Sequence, residues 1–262
     1  MRNPILRATA MAVAALLCWV AVGTAVTAVL GDDYSLASHI VRAAGTTLLM
    51  VPLVLVVFRY IDARPISALG LGLSRQAGRA FVAGAVSWFA PFVVALILFQ
   101  WTGWASIELT APTMEVVAFI PLLVLLVFLY EALPEELVFR EYIFQNLNQR
   151  LTVTWTITIQ AVLFGLFGAA LWIILSGGIS PAHALMFLVV GAVLGIVRMV
   201  TGSVWGPIGL HVAFQTAAQL LLNEQRGHFV LDNPDLFQLF VIGIIPFSLV
   251  LTLLYWFYPK TG

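Results

Sequence analysis

The chain has 262 residues, of which 62% are hydrophobic and only 9% are charged. Soluble domains carry about 25% charged residues, so this chain could not cover its own surface with polar side chains. Twelve basic residues balance twelve acidic ones, which argues against nucleic acid as a partner. The composition excludes an ordinary water-soluble enzyme, a collagen-like repeat and a disordered chain. It predicts an all-α, polytopic bundle of membrane helices.

Eight runs of mostly apolar residues are long enough to span a bilayer, which takes about 20 residues. They cover residues 5–30, 39–58, 80–100, 115–133, 153–175, 183–200, 204–222 and 236–258. Arg2 and Arg7 precede the first run, as in a signal peptide. Its uncharged stretch is longer than a typical signal sequence, so we expect a retained helix. The connections leave no room for a second domain, and residues 1–262 are expected to form one membrane domain.

The basic residues predict how the bundle is oriented, because cytoplasmic loops carry an excess of Lys and Arg. If the N-terminus is cytoplasmic, only Arg42 and Arg226 fall on the outer side. The other ten fall inside: Arg2, Arg7, Arg59, Arg64, Arg75, Arg79, Arg140, Arg150, Arg198 and Lys260. We therefore predict eight helices in contact with membrane lipids, with both termini on the cytoplasmic side of a bacterial inner membrane.

Ionisable residues at membrane depth are costly and are functional candidates by default, and here they concentrate in residues 131–141. Glu136 and Arg140 have the spacing and order of a helical ion pair. Such a pair leaves Glu135 facing elsewhere without a nearby cation, which makes it a candidate general base. Glu131, one turn earlier, could share a proton with it. The alternative is an interfacial helix whose charges face headgroups and water, with no chemistry.

A second polar feature is the pair His211 and Gln215, which lie on one face of the seventh run. The small residues of segment 201–209 precede the pair and would let helices approach closely. A histidine and an amide inside an apolar helix could serve as a metal ligand or as oxyanion donors. The alternative is a histidine that is satisfied by a carbonyl of a neighbouring helix.

These residues resemble three motifs of the CPBP family of intramembrane proteases, which includes the CAAX prenyl proteases of type II and Abi-like relatives. Residues 135–140 resemble its Glu-Glu-x-x-x-Arg motif. Residues 160–168, with Phe164, resemble its Phe-x-x-x-His motif, and residues 201–215 resemble its His-x-x-x-Asn/Asp motif. The resemblance covers about residues 115–220 and implies a bundle of eight spans with the site near its inner side.

The resemblance implies that Glu135 is the catalytic acid that activates water, with Glu136 and Arg140 as its supporting pair. It also implies that His211 binds a metal or stabilises an oxyanion, and Gln215, in place of Asn or Asp, keeps an amide donor.

The second motif departs from the family pattern. Gly168 stands where the family has a histidine, and a glycine can be neither base, donor nor ligand. Phe164 and Gly168 are nevertheless expected to line the same cavity as Glu135.

Three functions follow as hypotheses. The first is an active endopeptidase in which Glu135 deprotonates water while His211 and Gln215 stabilise the oxyanion of a membrane-associated or lipidated peptide. The second is a degenerate pseudoprotease that binds a membrane partner or a lipidated peptide. The third is a proton-coupled transporter that uses Glu131 and Glu135. The sequence requires no cofactor, although two carboxylates and a histidine could hold a divalent metal such as zinc.

Overall fold

The computed structural model describes residues 3–31 and 35–258, which form eight long helices and a two-stranded sheet. The helices are α1 (Pro4–Leu30), α2 (Leu36–Ile61), α3 (Arg75–Thr102), α4 (Thr113–Asn148), α5 (Val153–Ser176), α6 (Pro181–Thr201), α7 (Trp205–Leu221) and α8 (Pro234–Phe257). Strands β1 (Ile107–Leu109) and β2 (Phe229–Leu231) pair antiparallel at one end of the bundle. Short 3₁₀ turns occupy Ile66–Leu69 and Glu224–Arg226.

The predicted all-α membrane bundle is confirmed. Within the described residues, seven helices are long and apolar enough to cross a membrane. The exception is α7, whose 17 residues extend about 26 Å at 1.5 Å per residue. Large apolar side chains on the outside of the bundle, such as Leu6, Leu48 and Leu166, are more than 60% exposed, as expected for contact with lipid. Arg2 and Lys260, which entered the orientation prediction, lie outside the described residues.

Helix α7 is held against α3 by glycines. A methyl group added at Gly84 of α3 would lie 2.0 Å from the carbonyl oxygen of Gly206. One added at Gly209 would lie 2.0 Å from the carbonyl oxygen of Phe81. Only glycine permits backbones to approach so closely. This contact explains the small residues at the start of α7 and places the rest of that helix, including His211, inside the bundle.

The sequence prediction for α4 was wrong at its inner end. The fourth apolar run was expected to end at residue 133, with the acidic segment in a connection, but α4 continues to Asn148 as one helix of 36 residues. Hydropathy falls where the charged residues begin, and this fall imitates the end of a span. The charges do not end the helix because Glu136 and Arg140 pair with each other inside it.

Helix α4 contains wide turns on both sides of the acidic residues. Residues Phe128–Ala132 and Leu137–Ile143 are π-helical, and the N–H of Leu133 donates to the carbonyl of Phe128. Pro134 has no N–H to donate, and the carbonyl of Leu129, five residues earlier, accepts a hydrogen bond from the hydroxyl of Thr47 on α2. Such π-turns are frequent at functional sites. Here the first turn brings Glu131 and Glu135 into the space between α2 and α7.

Candidate active site

Glu136 is the centre of a buried cluster that joins α4 to α7. Its Oε1 accepts a hydrogen bond from Nη1 of Arg140 at 3.1 Å and lies 2.8 Å from Nδ1 of His211. The side chains of Glu136 and Arg140 are fully buried. The ion pair expected from their spacing is therefore present, in the bundle interior and not at an interface. The guanidinium carbon of Arg140 also lies 4.1 Å from the ring centroid of Phe164, so α5 contacts the cluster through a cation–π interaction.

The contact with Glu136 determines which nitrogen of His211 is available for chemistry. Nδ1 donates to the Glu136 carboxylate, as a hydrogen-bonded histidine does when a carboxylate fixes its tautomer. Nε2 then faces Glu135, whose Oε2 is 4.0 Å away. Within the described part of the chain no hydrogen bond engages the Glu135 carboxylate, and 12% of its side chain stays exposed. Glu135 and Nε2 of His211 therefore border the same small space, which could admit a water molecule or a peptide carbonyl.

Glu131, one turn away, is held by two amides of α7. Its Oε2 accepts from Nε2 of Gln215 at 2.5 Å, and its Oε1 accepts from Nε2 of Gln219 at 2.9 Å. The amide that the sequence suggested as an oxyanion donor is thus already used once, although each NH₂ group carries two donors. Gln219 was not identified from the sequence. Its signal was the four-residue repeat of His211, Gln215 and Gln219 along one face of α7.

Gly168, the residue in place of the family histidine, packs against α6. The atoms nearest to a methyl group built at Gly168 all belong to the ring of Phe187, at 2.6–3.0 Å. Phe187 therefore occupies the space in which a histidine side chain at this position would begin. A cavity shared by Gly168 and Glu135 stays a prediction.

We expect Gly168→Ala to lower the stability of the protein by about 1–3 kcal/mol, because the added methyl group overpacks the contact with Phe187. The double variant Gly168→Ala/Phe187→Leu should recover much of this loss. Thermal unfolding in detergent measures both effects. Gly78, a helical glycine with nothing within 4 Å of an added methyl group, is the matched control, and Gly78→Ala should not destabilise. Equal melting of Gly168→Ala and wild type would show that Phe187 can move away freely.

The cluster does not fit a metal ion. Among residues 3–31 and 35–258, no group of three or more His, Cys, Asp or Glu side chains is placed to hold one. The set considered from the sequence, Glu131, Glu135 and His211, is already committed in part. Both oxygens of Glu131 accept amide hydrogens, and Nδ1 of His211 bonds to Glu136. We derive no catalytic step through a metal from these residues.

The comparisons with known proteins agree with this geometry. The family model described as type II CAAX prenyl endopeptidase Rce1-like matches residues 117–217. The match includes Glu131, Glu135, Glu136, Arg140, Gly168, His211 and Gln215, and it ends just before Gln219. No curated protein and no solved structure matches the chain. The buried Glu-Glu-x-x-x-Arg helix, its histidine partner and the surrounding membrane bundle, together with this match, show that the chain belongs to the CPBP family of CAAX-type intramembrane proteases.

Proposed function

We propose that this protein is an intramembrane endopeptidase that hydrolyses a peptide bond of a membrane-associated or lipidated peptide. One observation carries the proposal. Glu135, an open carboxylate, faces Nε2 of His211 across 4.0 Å inside a bundle of membrane helices. The name of the matching family, a prenyl endopeptidase, supports a substrate that carries a lipid.

The residues divide the reaction as follows. Glu135 takes a proton from a water molecule while the hydroxide oxygen attacks the peptide carbonyl carbon. Nε2 of a protonated His211 donates to the oxygen on which negative charge develops, and Glu136 balances the charge of the imidazolium. When the carbon–nitrogen bond breaks, Glu135 returns its proton to the leaving amine. Arg140 keeps the carboxylate of Glu136 in place. The products are a carboxylic acid and an amine, and no atom comes from outside water and peptide.

A second candidate function is binding without cleavage, and one observation favours it. Phe187 fills the space beside Gly168, so the protein has an apolar ring where its relatives carry a histidine. Such a site could hold a membrane protein or a lipidated peptide and leave it intact.

The experiment that separates these functions uses the purified protein in liposomes with a farnesylated peptide that ends in a CAAX sequence. Mass spectrometry then follows the released fragment. Cleavage that depends on the protein supports the endopeptidase. Saturable binding of the peptide without cleavage supports the second function and contradicts the first.

We further propose that both termini face the cytoplasm of a bacterial inner membrane, which the arginine distribution supports. In a Cys18→Ser background, Gly178→Cys and Arg150→Cys would place single thiols at opposite ends of the bundle. On intact cells, a maleimide that cannot cross membranes should label Gly178→Cys, and it should label Arg150→Cys only after permeabilisation. The reverse pattern would invert the proposed topology.

A further inference from the structure

Arg42 of α2 is a buried cation that the proposed reaction does not use. The residue is 9% exposed, and within the described part of the chain no carboxylate oxygen lies within 4.0 Å of its guanidinium. A buried charge without a counter-ion is costly, since its desolvation penalty is several kcal/mol. Charged residues that persist at membrane depth are therefore functional by default.

The neighbours of Arg42 orient its guanidinium without neutralising it. Nη2 donates to Oγ1 of Thr27 at 2.9 Å, and the hydroxyl of Tyr130 is also within hydrogen-bonding range. Nε is buried and has no partner. Gly23 leaves space beside the group, because a methyl group there would lie 3.5 Å from Nη1. The result is a fixed guanidinium with an unused donor, and this planar fork matches a carboxylate in two parallel hydrogen bonds.

Tyr130 connects Arg42 to the acidic residues of α4. Its hydroxyl is in electrostatic range of Arg42 on one side and of Glu131 and Glu135 on the other. The ring of Trp19 packs on Tyr130, with centroids 6.3 Å apart. A short peptide whose scissile bond lies at Glu135 can therefore direct one end toward Arg42, past an aromatic wall.

We propose that Arg42 binds the C-terminal carboxylate of the substrate, so that the protein cleaves a short distance before a free C-terminus. This inference rests on the proposed function and adds a binding subsite to it. A peptide offers one fixed negative charge at its C-terminus, and a buried guanidinium without a counter-ion binds such a charge with little competition from water.

The test compares two farnesylated CAAX peptides that differ only at the C-terminus, one a free acid and the other an amide. Wild type should cleave the acid with a kcat/KM about 10- to 100-fold higher, the range expected for a hydrogen bond to a charged group. Arg42→Gln should lower the value for the acid to that for the amide, and it should leave the amide nearly unchanged. Arg42→Lys should keep part of the preference. The exposed Arg75 is the matched control, and Arg75→Gln should keep all of it.

A merely structural Arg42 would give a different result, because a loosened bundle would lower cleavage of both peptides alike. Equal cleavage of acid and amide by wild type would also overturn the inference, while the proposed function would stand. If wild type cleaves neither peptide, the proposed function fails, and equilibrium binding of the same two peptides decides about Arg42. Tighter binding of the acid that Arg42→Gln removes would support the subsite, and equal binding would refute it.

Discussion

Glu135→Gln is expected to lower peptide cleavage by about 10²–10⁴-fold, the usual contribution of a positioned general base. Glutamine has nearly the same shape as glutamate, but its amide cannot accept the proton of the attacking water. The thermal stability should hardly change, because no hydrogen bond within the described residues depends on this carboxylate. Cleavage of the farnesylated peptide and thermal unfolding in detergent, measured on the same preparation, check both parts.

The matched control is Glu115→Gln, at the exposed first turn of the same helix, which should keep full activity. Full cleavage by Glu135→Gln would show that another group, such as Glu131, takes the proton. A cellular role that survives Glu135→Gln in a protein without measurable cleavage would support the pseudoprotease.

The second large effect is expected for Arg140→Ala, which should destabilise the protein by about 3–5 kcal/mol. The loss is large because Glu136, fully buried beside it, would keep its charge without a cation. The variant also loses the contact of the guanidinium with Phe164. We expect a lower unfolding temperature in detergent and less protein in the membrane.

Two further variants sharpen this prediction. Arg75→Ala, which removes an exposed arginine, should melt like wild type. The double variant Glu136→Gln/Arg140→Met should be more stable than Arg140→Ala, because it removes both charges and leaves neither unpaired. An unchanged unfolding temperature for Arg140→Ala would mean that water reaches the pair and that the buried cluster is wrong.

Most of the architecture could be predicted from the sequence, because a bilayer demands long apolar helices and such runs are visible in the residue order. The end of α4 could not. A hydropathy pattern treats Glu136 and Arg140 as two polar residues, whereas the folded chain contains one neutral pair inside a helix. Where a span ends thus depends on whether its charges find partners, and the residue order alone does not settle this.

The candidate site shows the same division. The Glu-Glu-x-x-x-Arg spacing indicated the ion pair, since both residues lie on one helix and their separation fixes their geometry. The contacts of Gln219 with Glu131 and of Phe187 with Gly168 join different helices. Such contacts depend on how two helices rotate against each other, and local spacing does not determine that rotation.

The π-turn of α4 also limits how this protein can vary in length. Each residue of a regular helix advances the rotation about its axis by about 100°. A deletion or insertion within Phe128–Ala132 would therefore turn every side chain that follows, and Glu135 would point away from His211. In the loop that contains Gly178, by contrast, an extra residue would alter neither helix. Related chains should hence keep a constant number of residues from Thr47's partner Leu129 to Glu135, even where their apolar residues are exchanged freely.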